Sequence, residues 1–234
     1  MNIVALSPAR KNSKGIKNKN IINFFGKPLI FYSINICHKI KLISEVFVST
    51  DSKKIQKICI KNEAKCPFIR PSNISKDNST DLEVFKHFYK FYLKNYKKKI
   101  DLLLHIRPTT PLRSSALLEK LIKIMIKNSK FSSLRCFKLS EKSPYKMWKK
   151  KGKEAKPLFN TKKELHSTAR QTHPNVYNHV GYLDIIRPEK TLLRNSMVGK
   201  KVYFYLLDPN IHYTNDIDSK KDLITDKKFL KFKN

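Results

Sequence analysis

The sequence has few acidic residues and no long apolar segment. Asp and Glu make up only 18 of its 234 residues, against 50 Lys and Arg, which gives a formal net charge of +32. No stretch approaches the ~18 apolar residues of a membrane-spanning helix. The apolar run at 3–6 is too short for a signal-peptide core, and the basic residues follow it. We therefore expect a cytoplasmic protein with no membrane partner.

Several common catalytic and metal-binding motifs are also missing. The four cysteines, at 37, 59, 66 and 136, have no CxxC spacing, which argues against a zinc or redox site. The sequence has no GxSxG elbow and no HExxH pair, and it lacks the glycine spacings of a P-loop and of a dinucleotide site. Cys37 and Cys59 lie on apolar helical faces, so we expect buried free thiols.

The excess of basic residues has two interpretations. A nucleic-acid surface would cluster its cations and interleave them with exposed aromatic side chains. Here the lysines are spread from Lys11 to Lys233 among Asn and Ile. We expect no nucleic acid as partner, although a basic nucleic-acid-binding protein stays the alternative from another functional class. A basic surface also attracts nucleotides and acidic sugars.

Apolar runs alternate with amphipathic segments along most of the chain. Runs at 2–6, 45–49, 64–69, 100–106, 131–137, 180–186 and 201–207 predict strands. Helices are predicted at 28–40, after a cap at Asp51 or Ser52, at 82–96, after a cap at Ser114 or Ser115, and at 219–232. The alternation indicates an α/β fold with a mostly parallel sheet and helices on both faces. Ligands of such sheets bind outside the carboxyl ends of the strands.

Three segments that follow predicted strands carry groups suited to phosphate chemistry. The loop after the first strand contains Ser13, Gly15 and several cations, and it can wrap a triphosphate or be a solvated basic loop. The segment 105–113 offers Arg107 and Arg113 as forked donors, or is a rigid connection stiffened by its prolines.

The third segment is Asn-Asp-Ile-Asp at 215–218. In extended chain, residues two apart point to the same side, so Asp216 and Asp218 can hold a hard cation together with water and phosphate oxygens. The alternative is a helix N-cap at Asp218 or Ser219.

These segments, taken in order, resemble one family. The resemblance rests on 9–16 with Lys19-Asn20, on 48–51, on Arg70-Pro71 with Asp77 and Thr80, on 107–113, on 144–146, on Arg170-Gln171 and on 216–218. Together they resemble the acylneuraminate cytidylyltransferases (CMP-sialic acid synthetases), over nearly the whole chain.

The resemblance implies a Rossmann-like sheet in a single domain, 1–234, with an inserted arm at about 141–175 for dimerisation and sugar binding. It implies a homodimer that uses Mg²⁺, CTP and a nine-carbon keto-acid sugar. The residues implied for the nucleotide are Ala9, Arg10, Ser13, Lys14, Gly15, Lys19, Asn20, Arg70, Arg107 and Pro108. Those implied for the sugar are Arg107, Lys146, Arg170, Gln171 and Gly181, with Arg170 and Gln171 reaching from the partner subunit. Asp216 and Asp218 would bind the metal, and Arg10, Lys19 and Asp216 would be catalytic.

Two positions depart from the family pattern. Arg107 stands where the family often has Gln, and Val180 precedes Gly181 where the family has Asn. Both positions concern the sugar, so we expect a variant acceptor such as a legionaminic- or pseudaminic-type acid. The alternative within the same chemistry is a 3-deoxy-octulosonate cytidylyltransferase.

Overall fold

The computed structural model describes residues 1–13, 15–161, 163–219 and 221–224. The strands are β1 (Ile3–Pro8), β2 (Asn23–Phe24), β3 (Lys27–Pro28), β4 (Glu45–Ser49), β5 (Leu102–His105), β6 (Ser133–Leu139), β7 (Trp148–Lys151), β8 (Glu154–Pro157), β9 (Tyr177–Ile186) and β10 (Val202–Leu206). The α-helices are α1 (Leu29–His38), α2 (Lys53–Lys61), α3 (Asp81–Tyr96) and α4 (Ser115–Lys127). Of the helix predicted at 219–232, residues 221–224 are helical, and 225–232 lie outside the described residues.

Six strands form the main sheet, in the order β10-β6-β9-β5-β1-β4. The pairs β1–β4, β1–β5 and β6–β10 are parallel, whereas β9 runs antiparallel to both of its neighbours, β5 and β6. The mostly parallel α/β sheet predicted from the sequence is therefore confirmed. Because β9 is reversed, its beginning lies at the edge where the parallel strands end.

Helices cover both faces of the sheet, as predicted. The larger apolar core lies on the side of α1, α2 and α4, and a second core lies under α3. In the second core Phe85, Phe88 and Tyr92 of α3 pack with Phe47 of β4, which explains the aromatic stripe of that helix. These aromatic side chains are core residues.

Helix starts follow the capping rules. Ser52 and Ser114 accept hydrogen bonds from the backbone amides of Ile55 and Leu117, so the serine is the cap at both predicted sites. At α3, Thr80 and Glu83 form a reciprocal capping box. Each such cap contributes about 1 kcal/mol and fixes where a loop of the cavity ends.

The structure corrects one strand prediction. The segment 64–69 is not a strand, because it pairs with the β4 side only through the isolated bridges Phe47↔Lys65 and Thr50↔Ile69. Pro67 lies between them and lacks the amide that a continuous ladder needs. The stretch 141–175, where the resemblance implies an arm, contains the antiparallel hairpin β7–β8.

Part of the main sheet is not covered by a helix. On β10, Val202, Phe204 and Leu206 alternate with residues that pack on the larger core, and all three are exposed. Phe204 stacks on Phe137 of β6, with ring centroids 4.5 Å apart, and meets Tyr177 of β9. We call this surface the open sheet face. Among the described residues, no helix has the length and apolar character required to cross a membrane.

Candidate functional site

A cavity of about 500 Å³ lies at the carboxyl edge of the sheet. Its walls come from the loop after β1, the loop 70–81, the segment after β5 and Asp218. The cationic side chains of Arg10, Lys19, Arg70 and Arg107 all line it. Four cations from three separate segments therefore meet in one place, an arrangement suited to an anionic ligand.

Arg10 and Asn20 order the loop after β1. Arg10 Nη1 lies 2.7 Å from Asp77 Oδ1 and donates to the backbone oxygen of Lys76 at 3.0 Å. Asn20 is buried, and its Nδ2 donates to the backbone oxygen of Arg10 at 2.9 Å. Asn20 therefore supports the loop, while Arg10 reaches the cavity wall. Ala9 is fully buried, and its amide bonds to Ser49.

Arg70 is nearly buried at the back of the cavity. Its Nε donates to Ser75 Oγ at 3.0 Å, and its amide bonds to the carbonyl of Thr50 at 2.7 Å. Burial lowers the pKa of the Arg70 guanidinium, and the Asp51 carboxylate opposes that shift. Among the described residues, Ser75 is the side-chain partner of this guanidinium and no acid pairs with it, so its remaining N–H groups can donate to phosphate oxygens.

Lys19 and Gly15 both contact Asp218. Lys19 Nζ lies 2.8 Å from Asp218 Oδ1, and the lysine is mostly buried whereas the acid is exposed. A Cβ at position 15 would overlap the backbone oxygen of Asp218, so Gly15 permits a close approach of the two chain segments. Ser13 and Pro108 also line the cavity, whereas the predicted Lys14 lies outside the described residues.

Asp216 precedes the buried Ile217 in the chain, and Asp218 follows it. The hydroxyls of Thr109, at 3.2 Å, and Thr110 both donate to Asp216 Oδ1. Gly181 lies against the same carboxylate, since a Cβ there would come within 2.8 and 2.9 Å of its two oxygens. The Asp216 carboxylate is therefore held closely between Gly181 and the two threonine hydroxyls.

These two acids fit Mg²⁺. In the described part of the chain, no three His, Cys, Asp or Glu side chains come together in a way that could hold a metal ion. Mg²⁺, however, usually takes one or two carboxylates and completes its shell with water and phosphate oxygens. Asp218 lines the cationic cavity, whereas Asp216 does not line it but lies beside Arg107 at Gly181. Among the described residues, hydrogen bonds engage Oδ1 of Asp216 and none engages its Oδ2.

Arg107 faces an acid that the sequence analysis did not single out. Its Nη2 lies 2.9 Å from Oδ2 of Asp184, a buried residue of β9, and 3.6 Å from Asp81 Oδ2. His179 Nε2 lies 2.8 Å from Oδ1 of the same Asp184. Asp184 could have been noticed as the one charge inside the apolar run 180–186.

Arg113 has a structural role. Its guanidinium donates to the backbone oxygens of Tyr182 at 2.6 Å and Arg107 at 2.8 Å, which ties the segment after β5 to β9. Burial lowers the pKa of Arg113 to about 10. Of the two arginines in this segment, Arg107 alone lines the cavity.

The arm residues lie apart from this cavity. Arg170 and Gln171 line a second cavity of about 350 Å³, between the end of β6 and the start of β9. Lys146 is exposed in a short 3-10 helix, Pro144–Lys146. Within one subunit the structure thus does not bring these three residues to the cationic cavity, and their predicted role requires a second subunit.

The fold and the cavity place this chain among the α/β proteins whose ligand site lies at the carboxyl edge of a mostly parallel sheet. A sequence model of the cytidylyltransferase family matches residues 4–227. The chain therefore belongs to the cytidylyltransferase family, and its relatives confirm the acylneuraminate-type resemblance. It is a CTP-dependent nucleotidyltransferase by family.

The chain is similar in sequence to several curated relatives. It is 28% identical over 216 residues to the post-translational flagellin modification protein B of Campylobacter coli, covering 92% of this chain and 88% of that protein. It is 35% identical over 132 residues to a pseudaminic acid cytidylyltransferase of Campylobacter jejuni, covering 56% of each chain. An N-acylneuraminate cytidylyltransferase of Escherichia coli is 30% identical over 122 residues, 52% of this chain and 28% of that protein.

Solved structures confirm the fold. A CMP:2-keto-3-deoxy-manno-octonic acid synthetase complexed with CTP superposes with a TM-score of 0.71 over 100% of both chains, at 14% identity. A 4-diphosphocytidyl-2C-methyl-D-erythritol synthase from Anaerococcus prevotii superposes with a TM-score of 0.65 over 98% of both chains, at 15% identity. The Rossmann-like cytidylyltransferase fold implied by the resemblance is thus present.

Proposed function

We propose that this chain transfers CMP from CTP to a nine-carbon keto-acid sugar of the pseudaminic type, with release of pyrophosphate. The observation that carries the proposal is the convergence of Arg10, Lys19, Arg70 and Arg107 on one cavity that Asp218 also lines, with Asp216 next to Arg107 at Gly181. The 35% identity to a pseudaminic acid cytidylyltransferase favours that acceptor over the other acid sugars. The cytoplasmic location expected from the sequence stays a prediction.

In the proposed reaction the anomeric hydroxyl oxygen of the sugar attacks the α-phosphorus of CTP. The bond from that phosphorus to the pyrophosphate oxygen breaks, and the hydroxyl proton passes to solvent. Arg10 and Lys19 would bind phosphate oxygens and stabilise the charge that grows on pyrophosphate. Arg70 would hold CTP and Arg107 would hold the acceptor sugar, so that the two reactants are in line for displacement, since such transfer depends on alignment and charge neutralisation.

Asp216 and Asp218 are the proposed Mg²⁺ ligands. When bound, Mg²⁺ would neutralise phosphate charge and acidify the attacking hydroxyl. Thr109 and Thr110 hold Asp216 in one orientation, and Lys19 holds Asp218 at the mouth of the cavity. The chain's own part is thus to present two carboxylates in fixed positions.

The decisive experiment is pyrophosphate release with a panel of nucleotides and acid sugars. We expect turnover with CTP and a pseudaminic-type acid, and far less with N-acetylneuraminic acid or 3-deoxy-octulosonate. Turnover with 3-deoxy-octulosonate alone would favour the alternative acceptor. No pyrophosphate release, together with steeply salt-dependent DNA or RNA binding, would favour the basic nucleic-acid-binding alternative.

The metal assignment is tested by the variants Asp216→Asn and Asp218→Asn. Asn keeps the shape and one oxygen but loses the charge, so we expect activity to be nearly lost and partly rescued by excess Mn²⁺ or Mg²⁺. Of the two predicted caps, Ser219 and not Asp218 caps the helix that follows, because Ser219 Oγ accepts a hydrogen bond from the Asp222 amide at 3.3 Å. Normal turnover in both variants would therefore leave the metal assignment without support. Direct titration of Mn²⁺ onto the CTP-bound protein separates weaker metal binding from a damaged fold.

We further propose a homodimer formed through the open sheet face and the arm. Support comes from the exposed apolar side chains on that face, which a monomer rarely leaves uncovered over a large area. Such a dimer gives Arg170 and Gln171 a route to the partner's cavity. Sedimentation should give a dimer for the wild type and for Ile60→Glu, an exposed control on α2, but a monomer for Phe204→Glu.

A further inference from the structure

Asp184 is a charged residue inside an otherwise apolar strand. It is 1% exposed, and its neighbours in β9, Leu183 and Ile185, are fully buried core residues. Burying a carboxylate is costly unless cations and hydrogen bonds compensate it. An acid at this position therefore needs specific partners, and the structure provides them on the side of the sheet that carries α3 and the open sheet face.

The two oxygens of Asp184 hold different partners. Oδ2 lies 2.9 Å from Arg107 Nη2 and 3.8 Å from His105 Nδ1. Oδ1 lies 2.8 Å from His179 Nε2 and 3.8 Å from Arg135 Nε. Burial alone would raise the pKa of the carboxyl, but the hydrogen bond from His179 and the charge of Arg107 hold its pKa well below the usual range. The ionised carboxylate thus forms hydrogen bonds with Arg107 and His179, while His105 and Arg135 lie near it at 3.8 Å.

Three of these basic side chains reach the surface while the acid does not. The side chains of Arg107, Arg135 and His179 are 21%, 26% and 30% exposed, over a carboxylate that is 1% exposed. The three basic side chains therefore cover Asp184 and form the surface above it. Asp81 approaches Arg107 from the side of α3, and it is half exposed.

Two buried nitrogens of the cluster, His105 Nδ1 and Arg107 Nη1, have no hydrogen-bond partner among the described residues. An orphan donor such as Arg107 Nη1 is rare in folded proteins and requires an explanation, of which a ligand is one. Arg107 also lines the cationic cavity, and its Cδ would lie 3.1 Å from a Cβ at Gly181, beside the Asp216 carboxylate. The cluster thus adjoins the proposed metal site.

We propose that Asp184 is a positioning residue that fixes Arg107 and His179 against the acceptor sugar and so contributes to the choice of acceptor. The inference rests on the proposed function. The chemistry recognised is an oxygen that accepts hydrogen bonds from a guanidinium, such as a sugar carboxylate or an acyl carbonyl. The nucleotide side is separate, because in the described part of the chain Arg10, Lys19 and Arg70 bond to residues other than Asp184.

The test compares Asp184→Asn with wild type, reading pyrophosphate release while either CTP or the pseudaminic-type acid is varied. We expect the KM for the acid sugar to rise at least about tenfold, as when a charge-assisted hydrogen bond is lost. The KM for CTP should stay within about twofold, since that side is separate. The preference for the pseudaminic-type acid over N-acetylneuraminic acid should also fall.

Because Asp184→Asn removes a buried charge, it is paired with His179→Ala, a change at a partly exposed residue. His179→Ala should raise the KM for the sugar and lower the thermal midpoint modestly, because Asp184 loses one hydrogen bond but keeps Arg107, whereas His38→Ala, exposed on α1, should change neither. Equal changes in both KM values, or an unchanged sugar KM in His179→Ala, would overturn the inference while the wild type still turns over. A wild type that releases no pyrophosphate overturns the proposed function, and this inference with it.

Discussion

Gly181→Ala tests whether catalysis depends on the position of the Asp216 carboxylate. Gly181 is not among the residues with positive φ, so its backbone accepts alanine. The new Cβ would lie 2.8 and 2.9 Å from the Asp216 oxygens, whereas ordinary contact begins at 3.4 Å. Thr110 and β9 are buried and cannot yield, so the carboxylate has to move by about 0.5 Å.

The expected effect of that shift is large on turnover and small on stability. A misplacement of about 1 Å can reduce a rate by about 100-fold, so half that distance should lower kcat by about tenfold. Overpacking costs about 1–3 kcal/mol, and replacing a strand glycine returns about 0.5–1 kcal/mol. The protein should therefore stay folded at 25 °C.

The assay is pyrophosphate release at saturating CTP and sugar, repeated over a range of Mg²⁺ concentrations. Gly181→Ala should need more Mg²⁺ for half-maximal rate. The matched control is Ile185→Val on the same strand, which costs about 0.5–1.5 kcal/mol of stability without approaching Asp216. Wild-type kcat and Mg²⁺ dependence in Gly181→Ala would refute the reasoning and leave Asp216 without its assigned role.

Three further changes test other parts of the molecule. Lys19→Ala should cut kcat strongly and leave the thermal midpoint nearly unchanged, since Asp218, its partner, is exposed; activity within about twofold of wild type would refute the role. Arg170→Ala should weaken use of the sugar far more than CTP binding, and a fully active monomer would contradict the cross-subunit role. Burial lowers the pKa of His105 from 6.5 to about 3, so the unfolded state binds more protons between these values and stability falls as the pH drops through that window. His105→Asn should remove up to about 1.4 kcal/mol per pH unit of that slope in denaturant titrations, and His38→Asn should leave it unchanged.

The sequence predicted the parts of the fold that local patterns determine. Strand 45–49 and the serine-capped helices α2 and α4 were predicted because apolar periodicity and capping act within a few residues. The antiparallel direction of β9 could not be predicted, since an apolar run is the same in either direction. Its first residues, Tyr177–His179, were missed because they are exposed.

Some residues of the candidate site were predicted from the sequence and others were missed, because the missed ones depend on contacts between distant positions. Arg10 and Lys19 lie in a loop just after β1, where the strand pattern alone predicts a phosphate site, whereas Arg70 was predicted only through the family resemblance. The partners of Arg107 and Asp216 were missed because their contacts join residues 77 and 107 positions apart. Only the fold brings such residues together.

Arg107 links the two halves of the candidate site, and a double substitution tests that link. Its stem lies over Gly181 beside Asp216, while its Nη2 neutralises the buried Asp184. Arg107→Gln introduces the residue that the resembled family often has, but it leaves the carboxylate without its closest guanidinium, which should cost about 3 kcal/mol of stability.

In Arg107→Gln/Asp184→Asn the uncompensated charge is gone and the two amides can bond, so most of that loss should return. Denaturant unfolding of wild type, both single variants and the double variant gives the coupling energy, expected at about 1–3 kcal/mol. If the effects of the two substitutions on the free energy of unfolding add within about 0.5 kcal/mol, Arg107 is not what stabilises a charge at position 184. His179 and Arg135 would then suffice, and Arg107 would have to be explained by the ligand alone.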